Sequence, residues 1–343
     1  MRPFYEQYHY DRRPRSLVGD TRTKEFVSDF LEWLAESTEQ TPHVVSGKTH
    51  HTAFSALNPN NLLKRSRRGI NGFFQATGVW PGFVEPRTFG ATNILHSLLM
   101  PFPKKSPADK LLVPEFIPKE YRDRVKAATV VGVWSSHEDI SFDGIKPGKY
   151  FFKSNDGSDQ NIPLTLPCSD EELAHVKAKA KSWLETIYGQ NSCQWWYAFI
   201  DSKVFLEKDL RQEGEDVPIV DFRFHVVNGT PVLLQMDTEG GEGVRNNPVY
   251  DKNLNYLPYD FLRSNTHEEP LPSNAQFAQE VATKIGKAHQ YCRVDLYLKG
   301  EEVFLGEMTF LPNSGRRRTR APEIDELFSD HWKEEPPRVV RVE

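Results

Sequence analysis

The spacing of apolar residues along the chain predicts three helices. Apolar side chains recur at intervals of three and four positions in residues 23–37, 169–188 and 275–289, as they do on the buried face of a helix. Ser169 supports the start of the second helix, because its hydroxyl can cap the first turn and three acidic residues follow it. Residues 41–107 have no comparable pattern, and we expect mostly irregular structure there.

Short apolar runs between turn residues predict a series of strands. Asn228-Gly229 gives the strongest hairpin signal in the chain, because Asn and Gly tolerate the backbone of a two-residue turn. Lys299-Gly300-Glu301 predicts a second tight turn. The predicted strands cover residues 150–153, 204–207, 221–227, 231–236, 293–298 and 303–309. Antiparallel strands with interspersed helices predict an α+β fold rather than a doubly wound parallel sheet.

Composition excludes several classes of protein. The 343 residues are 38% hydrophobic, which suffices for a buried core and excludes a disordered chain. A net charge of −5 supplies no positive field, so we expect no nucleic acid partner. Three cysteines without a CxxC pair exclude a disulfide framework and a zinc ribbon, and they favour a cytoplasmic location. No apolar run approaches the roughly 18 residues of a membrane span.

Acidic residues on the last two predicted strands suit a metal ion. Arg293 and Asp295 face the same side, because side chains alternate along a strand, and Glu307 and Thr309 stand in the same relation. The tight turn makes these strands antiparallel, which brings Asp295 and Glu307 close enough to share a cation such as Mg²⁺. The hairpin alone is equally compatible with solvated acids on an exposed surface.

Residues earlier in the chain suit a nucleotide. Lys153 ends an apolar strand and precedes a loop of small residues, 154–158, whose backbone amides could approach a phosphate. The strand that ends at Glu207 offers a carboxylate for an adenine amino group, and Asp221 begins the next strand, where it could hold ribose hydroxyls. Together with the paired acids, this order predicts ATP and Mg²⁺ as cofactors.

A set of short stretches occurs in an order that resembles a known family. The stretches are ADK at 108–110, FKSNDGS at 152–158, FLE at 205–207, DFRF at 221–224, NG at 228–229, VYD at 249–251, RVDLY at 293–297 and GEMTF at 306–310. The set resembles the TupA-like (teichuronopeptide biosynthesis) ATP-grasp family. This resemblance implies an ATP-grasp fold, in which two α+β lobes clasp a nucleotide.

The resemblance also implies domain boundaries. The small lobe would occupy residues 107–210, and the large lobe with the metal site would occupy residues 211–335. Residues 1–106 match nothing in the family and form an extra N-terminal region, and residues 336–343 form a tail.

The resemblance further implies roles in nucleotide binding. The residues assigned to the nucleotide are Lys110, Lys153, Ser158, Glu207, Lys208, Leu210, Asp221 and Arg223. The two lysines would contact phosphates, and Glu207 with the backbone through Leu210 would form the adenine hinge. Asp159-Gln160 stands where many relatives have glycine, which implies a stiffer phosphate loop.

Metal ligands and catalytic residues follow from the same resemblance. Asp295 and Glu307 are similar to the Mg²⁺ ligands of the family, with Thr309 where many ATP-grasp ligases carry Asn. Arg293 resembles the arginine that stabilises the oxyanion of a tetrahedral intermediate, as a fixed guanidinium can. With Lys153, it is the implied catalytic residue.

A polar segment after the predicted hairpin contains the candidate substrate contacts, Asp237 and Arg245. We expect a Gly-rich loop that closes over a polar substrate, in which Arg245 pairs with a carboxylate. A solvated surface loop is the alternative interpretation of this segment.

The reaction implied by the resemblance is ATP-dependent ligation of a carboxylate to an amine through an acyl phosphate. The acid would be a saccharide or an amino-acid-like molecule, in polysaccharide or natural-product biosynthesis. A kinase of the same fold that phosphorylates a small molecule is one alternative. A polysaccharide-pathway glycosyltransferase or a nucleotide-binding module without catalysis are the others.

Overall fold

The computed structural model of the chain describes residues 50–57, 59–78, 88–103, 105–189, 192–211, 219–239, 245–317, 319 and 321–334. The helix predicted at residues 23–37 and the tail predicted at 336–343 lie outside these residues. The described α-helices are α1 (Ala53–Ala56), α2 (Pro59–Thr77), α3 (Phe89–Leu99), α4 (Val113–Phe116), α5 (Asp170–Leu184), α6 (Ala275–Gly286) and α7 (Pro322–Glu334).

Two sheets dominate the described part of the chain. The strands are β1 (His50–His51), β2 (Phe102–Pro103), β3 (Val125–Lys126), β4 (Val130–Trp134), β5 (Gly148–Ser154), β6 (Asn161–Leu166), β7 (Val204–Lys208), β8 (Ile219–Val227), β9 (Thr230–Glu239), β10 (Arg245–Asn246), β11 (Val249–Asp251), β12 (Tyr256–Leu257), β13 (Tyr291–Lys299) and β14 (Glu302–Thr309). The large sheet has the order β12-β11-β9-β8-β13-β14-β3, with β10 beside β9, and the small sheet has the order β4-β7-β5-β6. Every pair in these sheets is antiparallel except β14 with β3. This arrangement confirms the predicted α+β class.

The hairpin predicted at Asn228-Gly229 joins β8 to β9. Both residues have a positive φ, 48° and 77°, as a two-residue turn of this kind requires. The strand β9 continues to Glu239, three residues beyond its predicted end, because Asp237 still pairs with Asp221 of β8. The expectation that Asp237 lies in a loop is therefore wrong.

Alternating residues divide the large sheet into an apolar face and a polar face. Phe222 and Phe224 of β8 and Val294 and Leu296 of β13 are fully buried, and they belong to the same core as the apolar side of α6. The residues between them must project from the opposite face. This second face carries most of the charged residues that the sequence singles out.

The small sheet is divided in the same way. Phe152 of β5 and Leu206 of β7 pack with Val176 and Ala180 of α5. The helix begins as predicted, because the Ser169 hydroxyl accepts from the Glu172 amide and the Glu172 carboxylate accepts from the Ser169 amide, but it ends four residues before the predicted Tyr188. Lys153 and Glu207 follow the packed residues directly, so they project from the other face.

The expectation of irregular structure in residues 41–107 is wrong for the described part, which contains α2 and α3. Leu62, Ile70 and Phe73 of α2 are buried, but a basic segment on the outer side of the helix separates them in the sequence. Gly69 further lowers the helical signal. It is required because a side chain there would collide with Cys193.

Three general findings bear on the predictions from composition. The cysteines are free thiols, with Cys193 and Cys292 buried. Among the described helices, none has the length and apolarity to cross a bilayer. The lobe boundaries stay predictions, although β3, within the predicted small lobe, pairs with the large sheet.

The helix α3 carries a histidine whose burial makes stability depend on pH. His96 is buried, and neither ring nitrogen has a hydrogen-bond partner among the described residues. Burial lowers the pKa of His96 from 6.5 to about 3, and His289 lowers it further. Below pH 6.5 the unfolded chain therefore binds a proton that the folded chain rejects, so stability falls as the pH falls.

We expect His96→Leu to remove this acid sensitivity. The free energy of unfolding, measured by urea denaturation between about pH 6 and pH 4.5, should fall by about 1.4 kcal/mol per pH unit less in the variant than in the wild type. The exposed His267→Leu substitution should leave the slope unchanged. Parallel curves for wild type and His96→Leu would contradict the assignment.

Candidate active site

The polar face of the large sheet brings the predicted metal and catalytic residues together. Asp295 of β13 lies opposite Glu307 of β14 on one side and Arg223 of β8 on the other. Arg293 lies opposite Thr309. The antiparallel register predicted for Asp295 and Glu307 is thereby confirmed.

One guanidinium contacts both predicted metal carboxylates. Arg293 donates from Nε to Asp295 Oδ1 at 2.7 Å and from Nη2 to Asp295 Oδ2 at 2.5 Å. The same Nη2 lies 3.2 Å from Glu307 Oε1 and 3.1 Å from Thr309 Oγ1. The Asp295 side chain is 5% exposed, whereas that of Glu307 is 34% exposed. Glu307 is therefore the carboxylate that opens to solvent.

Burial and neighbouring charges act in opposite directions on this cluster. Burial raises the pKa of Asp295, and the nearby Glu307 adds to this effect while Arg293 opposes it. Burial alone would also raise the pKa of Glu307, but Lys110 and Arg293 hold that pKa below its ordinary value. The pKa of Arg293 is raised because its contact with Asp295 outweighs burial. The guanidinium thus remains charged.

A second guanidinium cluster lies on the neighbouring strands. Arg223 Nη2 donates to Asp221 Oδ2 at 2.6 Å and lies 2.8 Å from Asp237 Oδ2. Arg263 Nη1 donates to the same oxygen of Asp237 at 3.0 Å. Burial raises the pKa of Asp221, which Arg223 opposes. The predicted ribose and substrate acids are therefore held by arginines in this structure.

An open cleft separates the polar face of the large sheet from the small sheet. It encloses about 610 Å³, including solvent at its mouth. Its polar lining consists of Lys110, Lys153, Glu207, Tyr297 and Glu307. Its other lining residues are Leu111, Val113, Pro114, Ala127, Ala128, Val130, Leu210, Phe304, Leu305 and Gly306. An apolar slot with a few polar groups at one end is typical of a nucleotide-sized ligand site.

Both predicted phosphate lysines contact oxygen atoms of the protein at this cleft. Lys153 Nζ forms an ion pair with Glu207 Oε1 on the small sheet. Lys110 Nζ donates to the carbonyl oxygen of Gly157. Burial lowers the pKa of Lys110, and Glu307 on the opposite wall is the main charge that counteracts it. Anionic phosphates would provide further oxygen partners for both amino groups.

The predicted phosphate loop is fixed at its base. The Asn155 side chain donates to Asp109 Oδ1 at 3.0 Å and accepts from the Lys203 amide at 2.8 Å. Asp159 has a φ of 59°, which lies in the region that glycine adopts most readily. Asp159 therefore follows a backbone path that the glycine of relatives would also follow.

Three predicted residues are not part of the described cleft lining. Ser158 and Lys208 are exposed, and the Lys208 amide donates to the Thr129 carbonyl at 2.8 Å. Arg245 begins β10, where it pairs with Glu239 of β9. Their assigned contacts with nucleotide and substrate stay predictions.

Two residues at the site were missed by the sequence analysis. Tyr297 lines the cleft, and it continues the alternation of Arg293 and Asp295, so the period of two could have identified it. Arg263 reaches Asp237 from the chain after β12. No local pattern marks it, because only the folded path of that segment brings it to the sheet.

The sequence matches the family model described as TupA-like ATPgrasp over residues 100–333. This match covers more than half of the chain. The chain belongs to the TupA-like ATP-grasp family. The small sheet and the polar face of the large sheet are accordingly the two walls of an ATP-grasp fold.

Solved structures similar to this TupA-like ATP-grasp protein include three ligase or macrocyclase complexes. D-alanine–D-alanine ligase from Bacillus anthracis with ATP has 15% identity and a TM-score of 0.40, covering 66% of this chain and 65% of its own. ATP-grasp ligase PsnB with a minimal precursor has 10% identity, a TM-score of 0.35 and coverages of 65% and 59%. Macrocyclase MdnC from Microcystis aeruginosa with precursor peptide MdnA has 12% identity, a TM-score of 0.32 and coverages of 67% and 61%.

The chain thus spans somewhat less than two thirds of the length of these proteins. A further PsnB complex contains Mg and ADP. A comparison with curated proteins gives no match.

The donors on the polar face of this TupA-like protein suit Mg²⁺. Asp295, Glu307 and Thr309 offer oxygen atoms, which a hard divalent cation prefers. The described residues contain no group of three or more His, Cys, Asp or Glu side chains arranged for a metal. Two carboxylates completed by water and substrate phosphates are, however, a common way of binding Mg²⁺. The residues therefore fit the ion as part of a complex with ATP.

Removal of the central guanidinium should destabilise the TupA-like protein. Arg293→Gln leaves Asp295 and Glu307 facing each other without a cation, and we expect a loss of about 3–5 kcal/mol in the free energy of unfolding. Urea denaturation at neutral pH without divalent metal measures this loss. Lys126→Gln, which breaks the exposed Lys126–Glu302 pair, should cost at most about 1 kcal/mol. Equal losses in the two variants would contradict the central role of Arg293.

Proposed function

We propose that this protein is an ATP-dependent carboxylate–amine ligase that acts through an acyl phosphate. The observation that carries the proposal is the meeting of three groups at one end of the cleft. Glu307 lies on one wall, Lys110 and Lys153 line the same space, and Arg293 contacts Glu307 from behind. These groups combine a metal ligand, phosphate cations and a fixed guanidinium, as carboxylate activation requires.

Asp295 and Glu307, with the Thr309 hydroxyl, would hold Mg²⁺ at this position. The bound ion would neutralise charge on the phosphates of ATP. Lys110 and Lys153 would add positive charge to the transferred phosphoryl group, whose transition state is stabilised mainly by positioning and electrostatics. The substrate carboxylate oxygen forms a bond to phosphorus while the bond to ADP breaks.

The second half of the reaction would use Arg293. The amine nitrogen bonds to the carbonyl carbon of the acyl phosphate, and the guanidinium stabilises the oxyanion that develops. The carbon–oxygen bond to phosphate then breaks, phosphate leaves and the nitrogen loses a proton. Arg293 can take this role because its side chain is already fixed by Asp295.

The chemistry requires no nucleophilic side chain, and the described cysteines agree with this. Burial raises the pKa of Cys193 to about 12 and also raises the pKa of Cys292. Only a thiolate is an effective nucleophile. Both thiols are therefore unsuited to covalent catalysis.

The choice of acid and amine belongs to the same proposal. We propose an acid of the saccharide or amino-acid type, within polysaccharide or natural-product biosynthesis. A ligase releases ADP and phosphate only when acid and amine are both present. ADP formation with the acid alone and a stable phosphorylated product would instead indicate a kinase, and consumption of a nucleotide sugar without ATP would indicate a glycosyltransferase.

Binding of Mg²⁺ and ATP should stabilise the folded protein. At a ligand concentration of about 100 times Kd, the gain is about 2.7 kcal/mol, which a thermal shift detects as a higher Tm. Lys110→Met should lose most of this shift, since it removes a cation from the cleft. The absence of any shift with wild-type protein would exclude the nucleotide site.

The paired carboxylates should be essential for turnover. We expect Asp295→Asn and Glu307→Gln each to lower the rate of ADP formation at least about 100-fold, as loss of a charge-stabilising group does in comparable sites, while circular dichroism stays native. Glu302→Gln is a matched control on the same strand, because Glu302 forms an ion pair only with the exposed Lys126. Unchanged turnover in both site variants would refute the metal assignment.

A further inference from the structure

A pair of arginines converges on one carboxylate at the end of the polar face away from the cleft. Arg223 Nη2 and Arg263 Nη1 lie 2.8 Å and 3.0 Å from the same oxygen, Asp237 Oδ2. The Arg263 side chain is 39% exposed, whereas that of Asp237 is 11% exposed. A ligand can therefore approach from the side of Arg263.

Buried amides hold Asp237 in position. Asn247 Nδ2 donates to Asp237 Oδ1 at 3.0 Å, and Asn247 Oδ1 in turn accepts from Gln235 Nε2 at 3.2 Å. Gln235 and Asn247 are both buried. A connected network of this kind fixes a carboxylate before a ligand arrives, which is what a binding site needs.

Two polar atoms in the cluster have no hydrogen-bond partner among the described residues. They are Arg223 Nε and Asp221 Oδ1, both buried. A buried donor and a buried acceptor without partners are costly in a folded protein. On this face they offer one donor and one acceptor to a bound molecule.

The charges along this part of the face alternate in sign. Arg263, Asp237, Arg223 and Asp221 contact one another in that order. A molecule with only negative charge would meet two carboxylates, and a neutral sugar would gain nothing from the separated charges. A molecule with an ammonium group beside a carboxylate matches the alternation, because each of its charges finds an opposite partner.

The position relative to the reaction centre also fits the nucleophile. Arg223 lies directly opposite Asp295 in the strand register, and Asp295 lies opposite Glu307. Neighbouring strands are about 4.8 Å apart. A molecule of amino-acid size held at Arg223 therefore lies about one or two strand spacings from the metal carboxylates.

We infer that Arg223, Asp237 and Arg263 form the binding site for the amine substrate, and that this substrate carries an α-amino acid group. The inference rests on the proposed ligase function and names the chemical class of its nucleophile. The guanidiniums bind the carboxylate of the amino acid. Asp237 and Asp221 bind its ammonium group until it reacts.

Equilibrium binding tests the inference without knowledge of the acid. Thermal shift and calorimetry would be run with each proteinogenic amino acid, in the presence and absence of Mg²⁺ and a non-hydrolysable ATP analogue. We expect at least one amino acid to raise Tm, and its amide and N-acetyl derivatives to bind at least tenfold more weakly. Arg263→Gln should weaken the amino acid at least tenfold and leave the nucleotide shift intact.

Arg263 is exposed enough for this variant to fold, and Asp237→Asn provides a second test on the ammonium side. Lys284→Gln, which breaks the exposed Lys284–Glu120 pair elsewhere, is the matched control. The inference is overturned if no amino acid binds although the nucleotide does, or if glucuronate binds as tightly as the amino acid and equally needs Arg263. Absence of nucleotide binding would refute the proposed function instead.

Discussion

Arg293 holds two carboxylates side by side at the centre of the large sheet. Asp295 and Glu307 occupy adjacent strands, where their charges would repel each other across a short distance. The guanidinium projects from the same face of β13 and bonds to both. The protein can therefore fold with its metal ligands already in position, because a cation of its own compensates them. This arrangement also sets the guanidinium beside the place where charge develops in the proposed reaction.

The rest of the site depends on alternation along strands. In each sheet, one set of alternate residues is buried beneath a helix, α6 on the large sheet and α5 on the small sheet. The other set is left for the space between the sheets. Apolar packing on the outside of the two lobes thus determines which polar side chains face each other on the inside.

The sequence analysis identified the parts of the site whose geometry is local. Asp295 and Glu307 are joined by a tight turn, which sets the register of their strands, and Lys153 is marked by the loop of small residues that follows it. The contacts of Arg223 with Asp237 and Arg263 depend on where β9 ends and on the path of the chain after β12. The helix α2 was missed because its apolar residues are separated by a basic outer face and by Gly69.

The strand β3 has a consequence for how the two lobes can move. It pairs with β14 at the edge of the large sheet, yet it precedes every strand of the small sheet in the chain. The small lobe is thus an insertion with two tethers, one leaving the large sheet and one returning to it. The tethers meet where the Lys208 amide bonds to the Thr129 carbonyl. Neighbouring tethers resist translation but permit rotation, so opening of the cleft amounts to rocking about this single contact.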